Sequence, residues 1–215
     1  MQTVKFAKRI EEKGHTNLAI IHENALPASI SFYEAFQENY KGAHQDFLIT
    51  DVSEARALAL KIKAANVDAV VFLNTPTLGA SLTKELLAQG INPKDIAFYY
   101  DAQLQTGQSE YQKLVGGMEK LDGAFVLQYL TPDLRAFAEK YEARFGALPS
   151  PFAEYGYDGM MTLLNTRTDD SATWVKKLKD VAMETYTGPM KFDAVGIRIQ
   201  ETDIWVLSGG VPVAI

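Results

Sequence analysis

Five apolar, β-rich runs recur along the chain at intervals of roughly one βα unit: NLAIIH (17–22), DFLIT (46–50), VDAVVFLN (67–74), DIAFYY (95–100) and GAFVLQYL (123–130). Helical periodicity fills the stretches between them. Strands separated by helices are not joined by tight hairpins, so the alternation predicts an α/β fold with an open parallel sheet and helices on both faces. Right-handed crossovers and short connections give the flavodoxin-like strand order 2-1-3-4-5.

End signals support the intervening helices. Gly14, Gly42, Gly90 and Gly146 stand where helices should stop, because glycine adopts the left-handed conformation after a last turn without steric cost. In TPDLRAFAEKYEARFG, Thr131 is placed as N-cap, Pro132 at the first helical position and Asp133 near the positive helix end. Leu134, Phe137, Ala138, Tyr141 and Phe145 then form one stripe, which reads as core packing rather than a ligand box.

After ALPSP (147–151) the alternation stops. Two helical segments, FAEYGYDGMMTLLN and SATWVKKLKDVAME, follow each other without a strand, and TYTGPMKFDAVG reads as turns and short extended pieces. Two short strands around a Gly209-Gly210 turn close the sequence in DIWVLSGGVPVAI.

A net charge of -6 without a basic cluster argues against a nucleic-acid partner. Cysteine is absent, which excludes disulfides and thiolate metal sites. No stretch has the unbroken apolar length of a membrane span, so no membrane insertion is expected. MQTVKFAKRIEEKG lacks the apolar centre of a signal peptide, so an export signal is either lacking or removed. Dinucleotide, P-loop, nucleophile-elbow and zincin motifs do not occur, and the three histidines show no metal-ligand spacing; no cofactor or metal is expected.

An acid, Asp101, ends the fourth apolar run. A carboxyl at the exit of a buried strand must be hydrated, hydrogen-bonded or paired with a cation. Capping the next helix and contacting a ligand are comparable readings. The rule that open α/β sheets bind ligands at the carboxyl ends of their strands gives Asp101 company: His22-Glu23-Asn24, Thr50-Asp51, Asn74-Thr75-Pro76-Thr77 and Gln128-Tyr129. This rim is polar and holds no activated nucleophile, which suits holding a small polar molecule better than transforming one. For the adjacent His22-Glu23 pair, a solvated turn is the simpler reading than an acid/base pair.

PSPFAEYGYDGMMTLL resembles the stretch "P-x-x-(F/Y)-A-x-x-(G/A)-Y-D-A" of the type I periplasmic binding proteins, the leucine/isoleucine/valine-binding family of ABC-transporter receptors. TGPMKFDAVG resembles its "G-x-x-x-F-D-x-x-G", and IWVLSGGVPV its closing strand-turn-strand. NLAIIHENALPASISFYEAF and VDAVVFLNTPTLGASLTKELLAQGI look like the first and third βα units of that family's second lobe. The resemblance covers nearly the whole chain in order.

It implies a second lobe made of residues 1–149 and 196–215 and a crossover segment, 150–195, that would pack with a first lobe whose opening units do not precede residue 1. The chain then resembles a receptor fragment or a reduced relative. By the same resemblance Asp101 receives a ligand's ammonium, Asn74 and Thr75 supply hydrogen bonds, and Phe152 covers the ligand's apolar part; Glu23 and Asn24 lie on the same rim. Two departures stand out: Tyr99, Tyr100 and Ala102 surround the acid where the family has glycines, and Leu26-Pro27 replaces a tyrosine-glycine.

The implied function is an extracytoplasmic or periplasmic solute-binding component of an ABC importer. It would bind an amino acid or similar small polar solute without catalysis and deliver it to an ABC permease. Two readings stay open beside it: a sensor or regulator domain of the same fold binding an amide or other effector, and an acid/base enzyme using His22, Glu23 or Asp101. The helix from Phe152, with Tyr155, Met160 and Leu163, would face the first lobe; without it, a homodimer through residues 150–185 is expected.

Overall fold

The computed structural model describes residues 2–130, 134–149 and 153–215. Along the chain run α1 (Gln2–Glu12), β1 (Asn17–His22), α2 (Pro27–Asn39), β2 (Ala43–Leu48), α3 (Ala55–Ala64), β3 (Ala69–Leu73), α4 (Pro76–Ala88) and β4 (Ala97–Tyr100). Two one-turn helices, α5 (Gln103–Thr106) and α6 (Gln108–Tyr111), precede β5 (Phe125–Tyr129). Then come α7 (Arg135–Phe145), α8 (Ala153–Thr166), α9 (Ser171–Lys179), the strands β6 (Met183–Thr185) and β7 (Gly188–Met190), and the closing strands β8 (Thr202–Ser208) and β9 (Val211–Ala214).

Contacts divide the chain into two compact units, Met1–Gln128 with Asp203–Ile215, and Tyr129–Thr202. The helix α7, which the sequence grouped with residues 1–149, belongs to the second unit because Phe137 packs its ring on Tyr157 and Tyr186 at 5.8 and 5.3 Å between centroids.

The first unit carries a seven-stranded sheet in the order β2-β1-β3-β4-β5-β8-β9. The expected order 2-1-3-4-5 is present, and β1 lies parallel to both neighbours, with Ile20 opposite Asp46 on β2 and Val71 on β3. Hydrogen bonds from Gly123 N–H to the Leu207 carbonyl and from Leu207 N–H to the Ala124 carbonyl, both 2.9 Å, join β8 to β5, and β8 turns back through Gly209-Gly210 into antiparallel β9. Side chains alternate across this sheet. Tyr99 faces α1, edge-on to Phe6 at 5.7 Å, and stacks on Phe125 of β5 at 4.7 Å. Phe72, Phe98 and Tyr100 face the other way, into a cluster with Leu58, Ile62, Leu82 and Leu86 of α3 and α4. All of β3 is buried, which explains its unbroken apolar sequence.

Several local expectations change. The second strand starts at Ala43 rather than Asp46, and it is largely exposed because it is an edge strand whose only partner among the described residues is β1. Gly14, Gly90 and Gly146 do take the left-handed conformation, with φ of 75°, 79° and 72°. Gly42 does not; a Cβ there would instead collide with the Tyr40 hydroxyl, so the glycine makes room for a side chain. The N-terminal signals Thr131, Pro132 and Asp133 lie outside the described residues. Of the α7 stripe, Phe137 is buried whereas Phe145 is 63% exposed, so the stripe is only partly core. The helix expected over SATWVKKLKDVAME ends at Lys179, and Met183 and Glu184 enter β6, where Met183 pairs with Met190 of β7.

Within the second unit, α8 buries a polar stripe: Asp158, Thr162 and Thr166, spaced four apart. The two threonine hydroxyls donate back to the carbonyls of Asp158 and Thr162 at 2.7 and 2.8 Å. The Asp158 carboxylate accepts from the backbone N–H groups of Tyr186 (3.1 Å) and Thr187 (2.8 Å) and from the Thr187 hydroxyl (2.6 Å), fixing the β6–β7 hairpin on the helix. Arg198 closes the arrangement by donating to the same hydroxyl oxygen at 2.7 Å.

Candidate functional site

The carboxyl ends of β1, β3 and β4 bring Glu23, Asn74, Thr75 and Asp101 to one rim of the first unit. Register places them there: His22 lies opposite Leu73, and Phe72 opposite Tyr100, so the residues that follow emerge side by side. All but Thr75 are buried, at 3% exposure for Glu23, 1% for Asn74 and 4% for Asp101.

Glu23 is a tie between elements. Its Oε1 accepts from the Ser29 hydroxyl at 2.8 Å and from the Thr75 N–H at 2.6 Å, and its Oε2 accepts from the Thr75 hydroxyl at 3.3 Å. The carboxylate therefore sits at the N-terminus of α4, where free N–H groups and the helix dipole favour negative charge. It also holds α2 to the strand ends through Ser29.

Of the two readings that its sequence position allowed, Asp101 shows the bond at the start of the next helix. Its Oδ1 accepts from the Gln103 N–H at 2.9 Å, which turns the chain into α5. No other described residue is bonded to that carboxyl. Burial pushes its pKa up from 3.8 to about 8, against the lowering effect of the Gln103 bond and with a smaller upward push from the nearby Glu23 charge. The group is thus mostly a neutral acid at pH 7. Beneath it, Tyr100 stacks on Phe72 at 4.4 Å and shares a 2.9 Å hydrogen bond with Thr83. The aromatic pair around the acid forms the wall of the core, which explains why tyrosines are accepted there.

Asn74 has no hydrogen-bond partner on either atom of its amide. Gly79, one turn into α4, leaves room beside it: a Cβ there would collide with the Tyr111 hydroxyl and approach Asn74 Oδ1 to 3.3 Å. A buried amide without partners costs on the order of 1–3 kcal/mol per group.

The remaining expected rim residues are placed differently. Asn24 is exposed, and Leu26 precedes α2 with Pro27 as its first residue. Thr50 and Asp51 are engaged with Glu54, which accepts from both of their N–H groups in a capping box. His22 stacks its ring on Tyr33 at 4.0 Å, so it is more than a solvated turn. Among the described residues no hydrogen bond links His22, Glu23 and Asp101, and no group of three acidic or histidine residues could hold a metal ion. Phe152 lies outside the described residues. What the sequence reading missed is the role of Glu23 in fixing Thr75, which lies 52 residues away in sequence.

The sequence matches the family described as periplasmic binding protein over residues 1–207. The chain belongs to the periplasmic binding protein family. Comparison with curated protein sequences gives no match. Among solved structures it is similar to the branched-chain amino acid transporter substrate binding protein LivJ from Streptococcus pneumoniae, in complex with isoleucine, at 20% identity and a TM-score of 0.75, covering 98% of this chain and 62% of that one. The leucine binding protein LivK from Thermotoga maritima is similar at 16% identity and a TM-score of 0.77, covering 99% and 63%. A solute binding protein of an ABC transporter from R. palustris, in complex with benzoate, is similar at 17% identity and a TM-score of 0.72, covering 99% and 61%. This periplasmic binding protein chain thus spans less than two thirds of the length of these solved relatives. No helix among its described residues is long and apolar enough to cross a membrane.

Proposed function

We propose that the chain is the larger part of an extracytoplasmic solute receptor that captures an amino acid or similar small polar solute for an ABC permease, without chemistry on the solute. The first unit, residues 1–128 with 203–215, would form one ligand-binding lobe, and the second unit the crossover segment towards another. The observation that carries the reading is Asn74: a buried side chain with an unsatisfied donor and an unsatisfied acceptor, beside a buried acid. Asn74 and Thr75 would bond the solute's polar groups and Asp101 its ammonium. The family, and the isoleucine bound in a similar structure, support a small solute of this kind.

Asp101 also favours a second reading. A neutral acid can donate to a carbonyl, which suits a sensor of an amide or another effector without an ammonium group. Isothermal titration with isoleucine and with benzoate, in buffers of different ionisation enthalpy, separates the two. An ammonium drives Asp101 to ionise, so isoleucine binding near pH 7 should release close to one proton. Binding without proton release supports the effector reading, and no binding of any amino acid sinks the first.

A further inference from the structure

A second place in the first unit lacks hydrogen-bond partners, and it shares no residue with the Glu23, Asn74, Thr75 and Asp101 group. A cavity of about 290 Å³ lies between α5, α6 and the β8–β9 hairpin, lined by Leu104, Gln105, Gln108, Met118, Gln128, Trp205 and Pro212. Two buried donors on its walls have no acceptor: Nε2 of Gln128, a residue only 6% exposed, and Nε1 of Trp205. An amide can be turned to present either atom, but an indole N–H can only donate. The Trp205 wall therefore demands an acceptor. The rest of the lining is apolar or amide, without any charged side chain. A full charge entering it would lose its hydration without gaining a counter-charge, which disfavours a carboxylate.

We propose that this cavity is a second small-molecule site, which takes an uncharged carbonyl compound with a short apolar body. The carbonyl oxygen accepts from Trp205 Nε1 and Gln128 Nε2. The body rests on Leu104, Met118 and Pro212. The volume is at the small end for ligand pockets and suits a molecule of a few carbon atoms.

The chain has two tryptophans, and they give the test an internal control. Trp174 already donates its indole N–H to the Thr166 hydroxyl at 3.2 Å, in the other unit. The probes are butyramide and butyrate, which share a skeleton and differ in charge. In a spectrum of the ¹⁵N-labelled chain, butyramide should move the Trp205 indole resonance saturably downfield and leave that of Trp174 in place, while butyrate moves neither. Gln128→Leu should weaken the butyramide response about tenfold, the effect of one hydrogen bond. Gln108 is exposed at the cavity wall, so Gln108→Phe should fold normally and close the site. The proposal is overturned by an unmoved Trp205 resonance, by butyrate binding as well as butyramide, or by a saturable shift that survives Gln108→Phe. A long-lived water at the Trp205 N–H that remains when butyramide is added would overturn it as well.

Discussion

The two units of this chain treat their apolar residues in opposite ways. In the first unit β3 is buried throughout, and Phe72, Phe98 and Tyr100 interlock with α3 and α4. In the second unit α8 buries Asp158, Thr162 and Thr166 and leaves Tyr157, Met160, Leu163 and Leu164 between 40% and 57% exposed. The difference teaches that a helix can be anchored by its polar stripe when each polar group finds a partner. Asp158 satisfies three donors of the β6–β7 hairpin, and the two threonines satisfy themselves on the helix backbone. It also separates the kinds of stability at stake: hydrophobic burial with one misfit acid in unit one, a hydrogen-bonded hub in unit two.

The largest effect should come from that misfit acid. Because Asp101 is raised from 3.8 to about 8, the folded state keeps a proton that the unfolded state gives up. The contribution of Asp101 to stability is then full below about pH 4 and is lost as pH rises to about 8, by up to about 1.4 kcal/mol per pH unit, several kcal/mol in all. Urea unfolding at pH 5 and pH 9 measures the fall, and Asp101→Asn should flatten it. A flat wild-type profile would show that Asp101 is hydrated or paired. In a ligand-competent receptor the same change should weaken an amino-acid ligand by about 2–5 kcal/mol, read by calorimetry.

Next in size is the hub. Asp158→Ala leaves the N–H groups of Tyr186 and Thr187 and the Thr187 hydroxyl without their acceptor, at about 3 kcal/mol or more. Hydrogen exchange should place the loss in residues 129–202, with β1 and β3 still protected. Equal loss of protection in β3 would mean that the two units unfold as one, and the contrast between them would fail as an energetic statement.

A smaller change tests the core side. Thr83→Val removes the partner of the Tyr100 hydroxyl, which is fully enclosed, and should cost about 1–2 kcal/mol in a denaturant melt. Smallest of all, Met160→Lys and Leu164→Glu on the exposed face of α8 should shift stability by less than about 0.5 kcal/mol. If that face joins two copies, light scattering will show the pair of substitutions converting a dimer to a monomer. A wild-type chain that is monomeric at every concentration removes the dimer expectation.

Particular residues mark how far the sequence could be read. Periodicity of the five apolar runs was enough for the parallel sheet and its order, because β1, β3 and β4 are buried on both faces and their sequences can hardly serve otherwise. Asp101, Asn74 and Thr75 were legible as a group, since residues that follow neighbouring parallel strands must emerge together. The Glu23 tie was not, because it depends on Ser29 and Thr75 arriving within 3.3 Å from two different helices. The stop of α9 at Lys179 was missed because VAME has acceptable helix propensity and only its pairing with Gly188–Met190 draws it into a strand.

The sequence by itself determined the fold class, the order of the first five strands and the grouping of Glu23, Asn74, Thr75 and Asp101 at neighbouring strand ends, because these follow from local period, chain direction and crossover handedness. Tertiary structure alone decided that Asn74 lacks partners, that burial pushes the Asp101 pKa up, that α8 is anchored by its polar stripe and that Trp205 and Gln128 share a cavity. Those four properties depend on what lies across space from each group, and hydration or its loss is set by that surrounding rather than by the residue's neighbours in sequence.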